Sequence, residues 1–255
     1  MVELKTGGEI EALRRAGGLV ARVLDAVREH VAVGVRLGEL DELAGGVLAD
    51  AGAQAVLEGH RHGRSDRPFP AVIRTSLNDE IVHGVAGARV LSDGDLLGLD
   101  LAARLDGWIG HSALTCAVGA CAAEDARLLE TTEQALADGI AAARPGARLG
   151  DVSRAIGVVG RSAGFGIPPL GGHGLGRGLR EEPTVANDGH RGRGMPLRPG
   201  LVVSVEPMFT SGGRDHLELR GHAVVTGDDS RAAHFGHTVA ITDDGPLVLT
   251  ARPGG

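Results

Sequence analysis

A chain of 255 residues, 42% of them hydrophobic, is long enough to bury one sizeable core, and residues 1–255 read as a single domain. The net charge is −7 with scattered basic residues, which lacks the electrostatic footprint of a nucleic-acid binder. No apolar run reaches membrane-spanning length, and the N-terminus lacks the basic, apolar, small-residue order of a signal peptide, so neither nucleic acid nor membrane is an expected partner. Cys116 and Cys121 are the only cysteines, too few for a disulfide framework, and they point to a reducing cytoplasm. Aromatic residues make up 2% of the chain and there is no tyrosine, so the core must be built from Val, Leu, Ile and Ala.

Apolar residues recur at helical spacing through Ile10, Leu13, Ala16, Leu19, Val20, Val23, Leu24 and Val27, which predicts a helix over about 8–33. A second helix is predicted over 37–51, ended by Gly52. Residues 58–70, polar and broken by Gly and Pro, read as a loop, and 71–77 as a strand. Strands at 96–103 and 109–118 flank Asp106-Gly107, the strongest short-range hairpin signal in the chain. Helices follow at about 123–143 and 149–163, then a Gly-rich segment, then strands near 201–206, 218–226, 237–242 and 246–250. Helices grouped with antiparallel strands indicate an α+β fold, and no linker divides the chain.

The hairpin carries a geometric consequence. With Asp106-Gly107 as a two-residue turn, Leu105 faces Trp108, Asp100 pairs with Ala113, and Ala102 pairs with His111. Asp100 and His111 then lie on one face of the ribbon as diagonal neighbours. His173 lies in Gly-Gly-His-Gly-Leu-Gly-Arg-Gly, a segment slim enough to lie against a strand. That segment has neither a preceding strand signal nor a Lys-Ser/Thr ending, so no nucleotide cofactor is expected. Glu206 precedes Pro207 at the end of an apolar strand, where an ionised carboxylate needs a cation or hydrogen bonds to offset its desolvation.

In order and spacing, Asn78-Asp79-Glu80-Ile81-Val82-His83-Gly84, Asp100 in Leu-Gly-Leu-Asp, His173 in its Gly-rich run and Glu206 in Val-Val-Ser-Val-Glu-Pro-Met resemble the type I methionine aminopeptidases. The resemblance implies the pita-bread fold, an antiparallel curved sheet with helices packed on its outer face. It also implies five protein ligands that hold two divalent metals. Asp100, His173 and Glu206 match three of those positions, while His111 and Gly236 stand where the family has its two metal-bridging carboxylates. An imidazole nitrogen serves one metal and glycine offers no side chain. The expected centre is therefore mononuclear, with one divalent ion (Fe, Mn, Co or Zn) on His111, His173 and Glu206, a ligand set shared by catalytic zinc and facial-triad iron sites. Asp100 is then an auxiliary ligand or base. His234, which shares a strand face with Gly236, is placed to replace part of the lost ligation.

The resemblance also carries over the substrate groups. His83 matches a histidine at the scissile bond, and Arg180 stands where a second such histidine is expected. Arg74, Phe69, Leu179 and His222 fall at or near pocket positions of the family. Arg74 and Arg180 are fixed cationic forks suited to carboxylate or phosphate, which points to a small, anionic substrate. Against this stand a surface role, or an ion pair with Glu181 or Glu182, for either arginine. Three function classes follow: a metal enzyme repurposed to a small molecule, a metal-dependent methionine aminopeptidase acting on a short peptide with Glu206 as base and ligand, and a non-catalytic binding protein of the same fold.

Overall fold

A computed structural model describes residues 2–61, 67–212, 215 and 217–252; part of the expected 58–70 loop lies outside them. The elements in chain order are α1 (Gly7–His30), α2 (Leu37–Asp50), β1 (Gln54–Ala55), β2 (Arg74–Leu77), β3 (Glu80–Val82), β4 (Leu96–Leu105) and β5 (Trp108–Ala117). They continue with α3 (Ala123–Ala142), α4 (Leu149–Ser162), β6 (Gly171–Gly174), β7 (Glu181–Ala186), β8 (Val202–Val205) and β9 (Met208–Thr210). The chain closes with β10 (Leu217–Arg220), β11 (Ala223–Thr226), β12 (Ala232–His234), β13 (His237–Thr242) and β14 (Gly245–Val248). Each strand pairing between these elements is antiparallel.

Local chemistry sets the helix ends. Thr6 caps α1 in a reciprocal box with Glu9, whose carboxylate accepts from Thr6 N at 2.8 Å. The helix stops at His30, short of the expected end, because Val31 turns extended. Its apolar stripe packs on β4 and β5, with Leu19, Val20, Val23 and Leu24 in the main core. The approach depends on paired glycines: a Cβ on Gly110 would lie 2.7 Å from Gly17 Cα.

The hairpin register is as the turn dictates: Leu105 opposite Trp108, Asp100 opposite Ala113, Ala102 opposite His111. The strand expected at 71–77 begins only at Arg74, because Asp41 Oδ1 takes the backbone N–H groups of Val72 and Ile73 at 2.8 and 2.9 Å. The span 218–226 is two strands, split at Gly221 with φ +66°. Within the Gly-rich segment lies β6, wedged between β7 and β8. Glycine is required there, since a Cβ on Gly172 would sit 1.9 Å from Ser204 O. Gly172→Ala is expected to cost roughly 1–3 kcal/mol through overpacking, read as a lowered midpoint in thermal unfolding.

His237, on β13, is turned away from the cavity toward Thr250, with Nδ1 2.8 Å from Thr250 Oγ1. Burial, reinforced by Arg252, pushes its pKa from 6.5 down to about 4. The unfolded chain therefore binds a proton that the folded chain refuses, and His237 removes stability as pH falls from 6.5 to about 4. Urea titrations of wild type and His237→Gln should differ in slope over that window and run parallel below it.

Candidate active site

Four strand systems converge on one cavity of about 930 Å³. Asp100 comes from β4, His111 from β5, His173 from β6, Glu206 from the end of β8 and His234 from the end of β12. All five line the cavity and all are buried, at 5, 2, 6, 4 and 4% exposure respectively. Pro207 follows Glu206 and ends the strand ladder there, so the carboxylate projects from a fixed bend. Gly236 bonds to Ala113 through both its N–H and its carbonyl, at 3.0 and 3.1 Å. A Cβ on Gly236 would lie 3.1 Å from Glu206 Cγ, so this position faces the site without contributing a side chain.

Hydrogen bonds orient the two inner imidazoles. His111 Nε2 lies 2.8 Å from Asp100 Oδ1, and an ionised carboxylate accepts only, so Nε2 carries the proton. Its Nδ1 faces inward, 3.4 Å from Glu206 Oε1, and offers a lone pair there whenever the imidazole is neutral. His173 Nδ1 donates to Gly174 O at 3.0 Å, which leaves Nε2 open at 3.5 Å from the same Glu206 oxygen. The two rings stack with centroids 5.6 Å apart. His111, His173 and Glu206 thus offer three donor atoms within 4.8 Å of one another. His234 Nε2 lies 3.5 Å from Glu206 Oε2 and is a buried polar atom without a hydrogen-bond partner among the described residues.

Around this trio, Ser204 Oγ donates to Glu206 Oε1, and Asn187 Nδ2 donates to Glu206 O at 2.6 Å. Burial alone would raise the Glu206 carboxyl, but His111, His173 and His234 outweigh it and hold the group below the carboxylate range. Asp100 is likewise pressed upward by burial and carried well below its ordinary value, chiefly by Arg74 and then by His111. Burial lowers His111, yet Glu206 and Asp100 together reverse the sign and raise it. For His173 burial prevails and the shift is downward. Convergent imidazoles, a buried carboxylate and an orphaned nitrogen fit a divalent ion.

The expected substrate groups separate into two sets. His83, Arg74, Leu179 and Arg180 line the cavity. Phe69 and His222 stand outside its lining, stacked edge-on at 5.5 Å, with Arg74 lying over the Phe69 ring. Arg74 does not present a free fork: its Nη1 lies 2.9 Å from Asp100 Oδ2, and both groups are buried. Arg180 is exposed at the rim, and its ion pair with Glu181 or Glu182 is not formed; Glu181 instead holds Lys5 at 3.0 Å. Sequence reasoning passed over His60, Arg61 and Asn187, all on the cavity wall. The first two fall in the loop between β1 and β2, and a lone Asn before Asp-Gly carries no metal or nucleophile signal.

The pita-bread arrangement of strands and this donor trio together define the class of the metallopeptidase-type folds, and comparison with known proteins gives the same class. Residues 11–243 match the model of metallopeptidase family M24. The chain is 43% identical over 259 residues to methionine aminopeptidase 1 of Mycobacterium tuberculosis, covering 98% of this chain and 95% of that protein. Methionine aminopeptidase 1 of Bacillus subtilis is 37% identical, with 98% and 99% covered. The crystal structure of methionine aminopeptidase from Rickettsia prowazekii superposes with a TM-score of 0.94 at 32% identity, over 98% of this chain and 100% of that one. The chain therefore belongs to the M24 metallopeptidases and, among them, to the type I methionine aminopeptidase family. No helix among the described residues is long and apolar enough to cross a membrane.

Proposed function

We propose that this chain is a metal-dependent aminopeptidase that removes the N-terminal residue, methionine first among candidates, from short peptides. It does so with a single divalent ion held by His111, His173 and Glu206. The observation that carries this reading is the buried donor trio at the floor of an open cavity. The relatives are methionine aminopeptidases over nearly the whole chain, which favours a peptide over the small anionic molecule suggested by the pocket arginines. The charge of Arg74 is already matched by Asp100.

The ion would supply Lewis acidity, activating a water and polarising the scissile carbonyl. The protein's own groups do the rest. His111 and His173 point lone pairs inward because Asp100 and Gly174 O hold their other nitrogens. Glu206 and His234 are the groups placed to take the proton of the attacking water. His83 and Arg180 contact the peptide from the cavity wall, with the apolar side chains of Val82, Leu179 and Met208 available to its first residue.

The test is release of Met from a Met-Ala peptide by metal-stripped protein, reconstituted with Mn(II), Co(II), Fe(II) or Zn(II) in turn. Turnover is expected with at least one metal, lost with EDTA and lost in His173→Ala. Metal binding without peptide cleavage would return the repurposed reading. A chain that takes up no metal and still folds would be a binding protein.

A further inference from the structure

The donor trio leaves Asp100 out, although the hairpin places it beside His111. Both Asp100 oxygens are already engaged: Oδ1 accepts from His111 Nε2 at 2.8 Å, and Oδ2 from Arg74 Nη1 at 2.9 Å. Arg74 enters from β2, where it pairs with Asp100 across the ladder, and it is 7% exposed with its guanidinium over the Phe69 ring. The buried guanidinium thus has the Phe69 ring on one face and a single charge-assisted hydrogen bond to the Asp100 carboxylate at its edge.

We propose, on the metal reading given above, that Arg74 is a resident, non-exchangeable cation of the site. It neutralises Asp100 and keeps that carboxylate as a positioning residue for His111 instead of a metal ligand, so the chain takes one divalent ion and not two. Charge supports the same count. Asp100 and Glu206 against Arg74 leave one net negative charge among these buried groups. One divalent ion turns that into a single net positive charge, whereas a second would leave three in a desolvated site. The order Arg74, Asp100, His111, ion is the carboxylate–histidine–metal arrangement with its carboxylate locked from behind.

Metal-stripped full-length protein would be titrated with Mn(II), following free ion by electron paramagnetic resonance and bound ion by elemental analysis. Wild type should bind one ion per chain. Asp100→Asn should still bind one, weakened about 10–100-fold, as for loss of a group that orients a ligand. Arg74→Gln, which keeps a donor but removes the charge, frees Asp100 Oδ2 and should admit a second, weaker ion at millimolar Mn(II). That ion would be terminal on Asp100, because His111 and Gly236 supply no bridging carboxylate, and Arg74→Lys should not admit it. Circular dichroism establishes that each variant is folded. An Asp100→Asn protein with no bound ion would make Asp100 a ligand and overturn the inference, as would Arg74→Gln holding at one ion. Two ions in wild type would do the same. A wild type that binds none sinks the metal reading and this inference with it; failure in the variants alone sinks only the inference.

Discussion

Glu206→Gln should lose metal-dependent peptide cleavage by on the order of 10³-fold or more, because several kcal/mol of transition-state charge stabilisation depend on the ion that Glu206 helps to hold. The substitution keeps the shape of the side chain and removes its charge. Among the described residues, Glu206 is the one carboxylate that His111, His173 and His234 all face, at 3.4 to 3.5 Å. A neutral amide there weakens ion binding and cannot take up a proton. The fold should survive, since the backbone at 206 is fixed by Asn187 and by the following proline. Measuring kcat and bound metal on the same samples checks the cause. Activity within about tenfold of wild type would leave Glu206 without the role assigned to it.

The second large effect falls on stability. Arg74→Met should destabilise the metal-free protein by about 3–5 kcal/mol near pH 7, the cost of leaving a buried charge without its partner. Both side chains are nearly sealed from solvent, at 8 and 6% exposure, so screening by water offsets little of this. The sign of the pH dependence follows. In wild type the Asp100 pKa is depressed, so its contribution is present above the ordinary carboxylate range and lost as pH falls through the depressed value. Without Arg74 much of that depression goes, and the gap between wild type and variant should narrow as pH drops below about 4. Urea unfolding at pH 7, 5 and 3.5 reads it directly. A constant gap would mean that the loss comes from packing on Phe69 and not from the ion pair.

Much of the architecture was legible in the chain because its signals are local. Asp106-Gly107 dictates a two-residue turn, and that turn alone sets the pairing of ten residues on each side. The stripe from Leu13 to Val27 announces a helix with one buried face. Strands built from glycine gave no signal: β6 has no alternating apolar residues, and its chain is narrow because Ser204 O presses against it. Likewise 218–226 read as one strand, since a glycine in a β run does not say whether it bends or reverses the chain.

The site divides in the same way. The family resemblance singles out Asp100, His111, His173 and Glu206 as candidates, and the turn register already puts the first two on one face. What only the tertiary structure decided is the direction of each ring and the partner of each charge. Asp100 faces Arg74 because β2 lies beside β4, a neighbour the intervening loop does not reveal. His111 turns Nδ1 inward because Asp100 holds Nε2, and His234 reaches Glu206 because β12 pairs with β9 across the sheet edge. Residue type and spacing specify which groups can meet. Hydrogen bonds and ion pairs formed between distant strands, in a space from which water is excluded, specify which atom of each group is left to do chemistry.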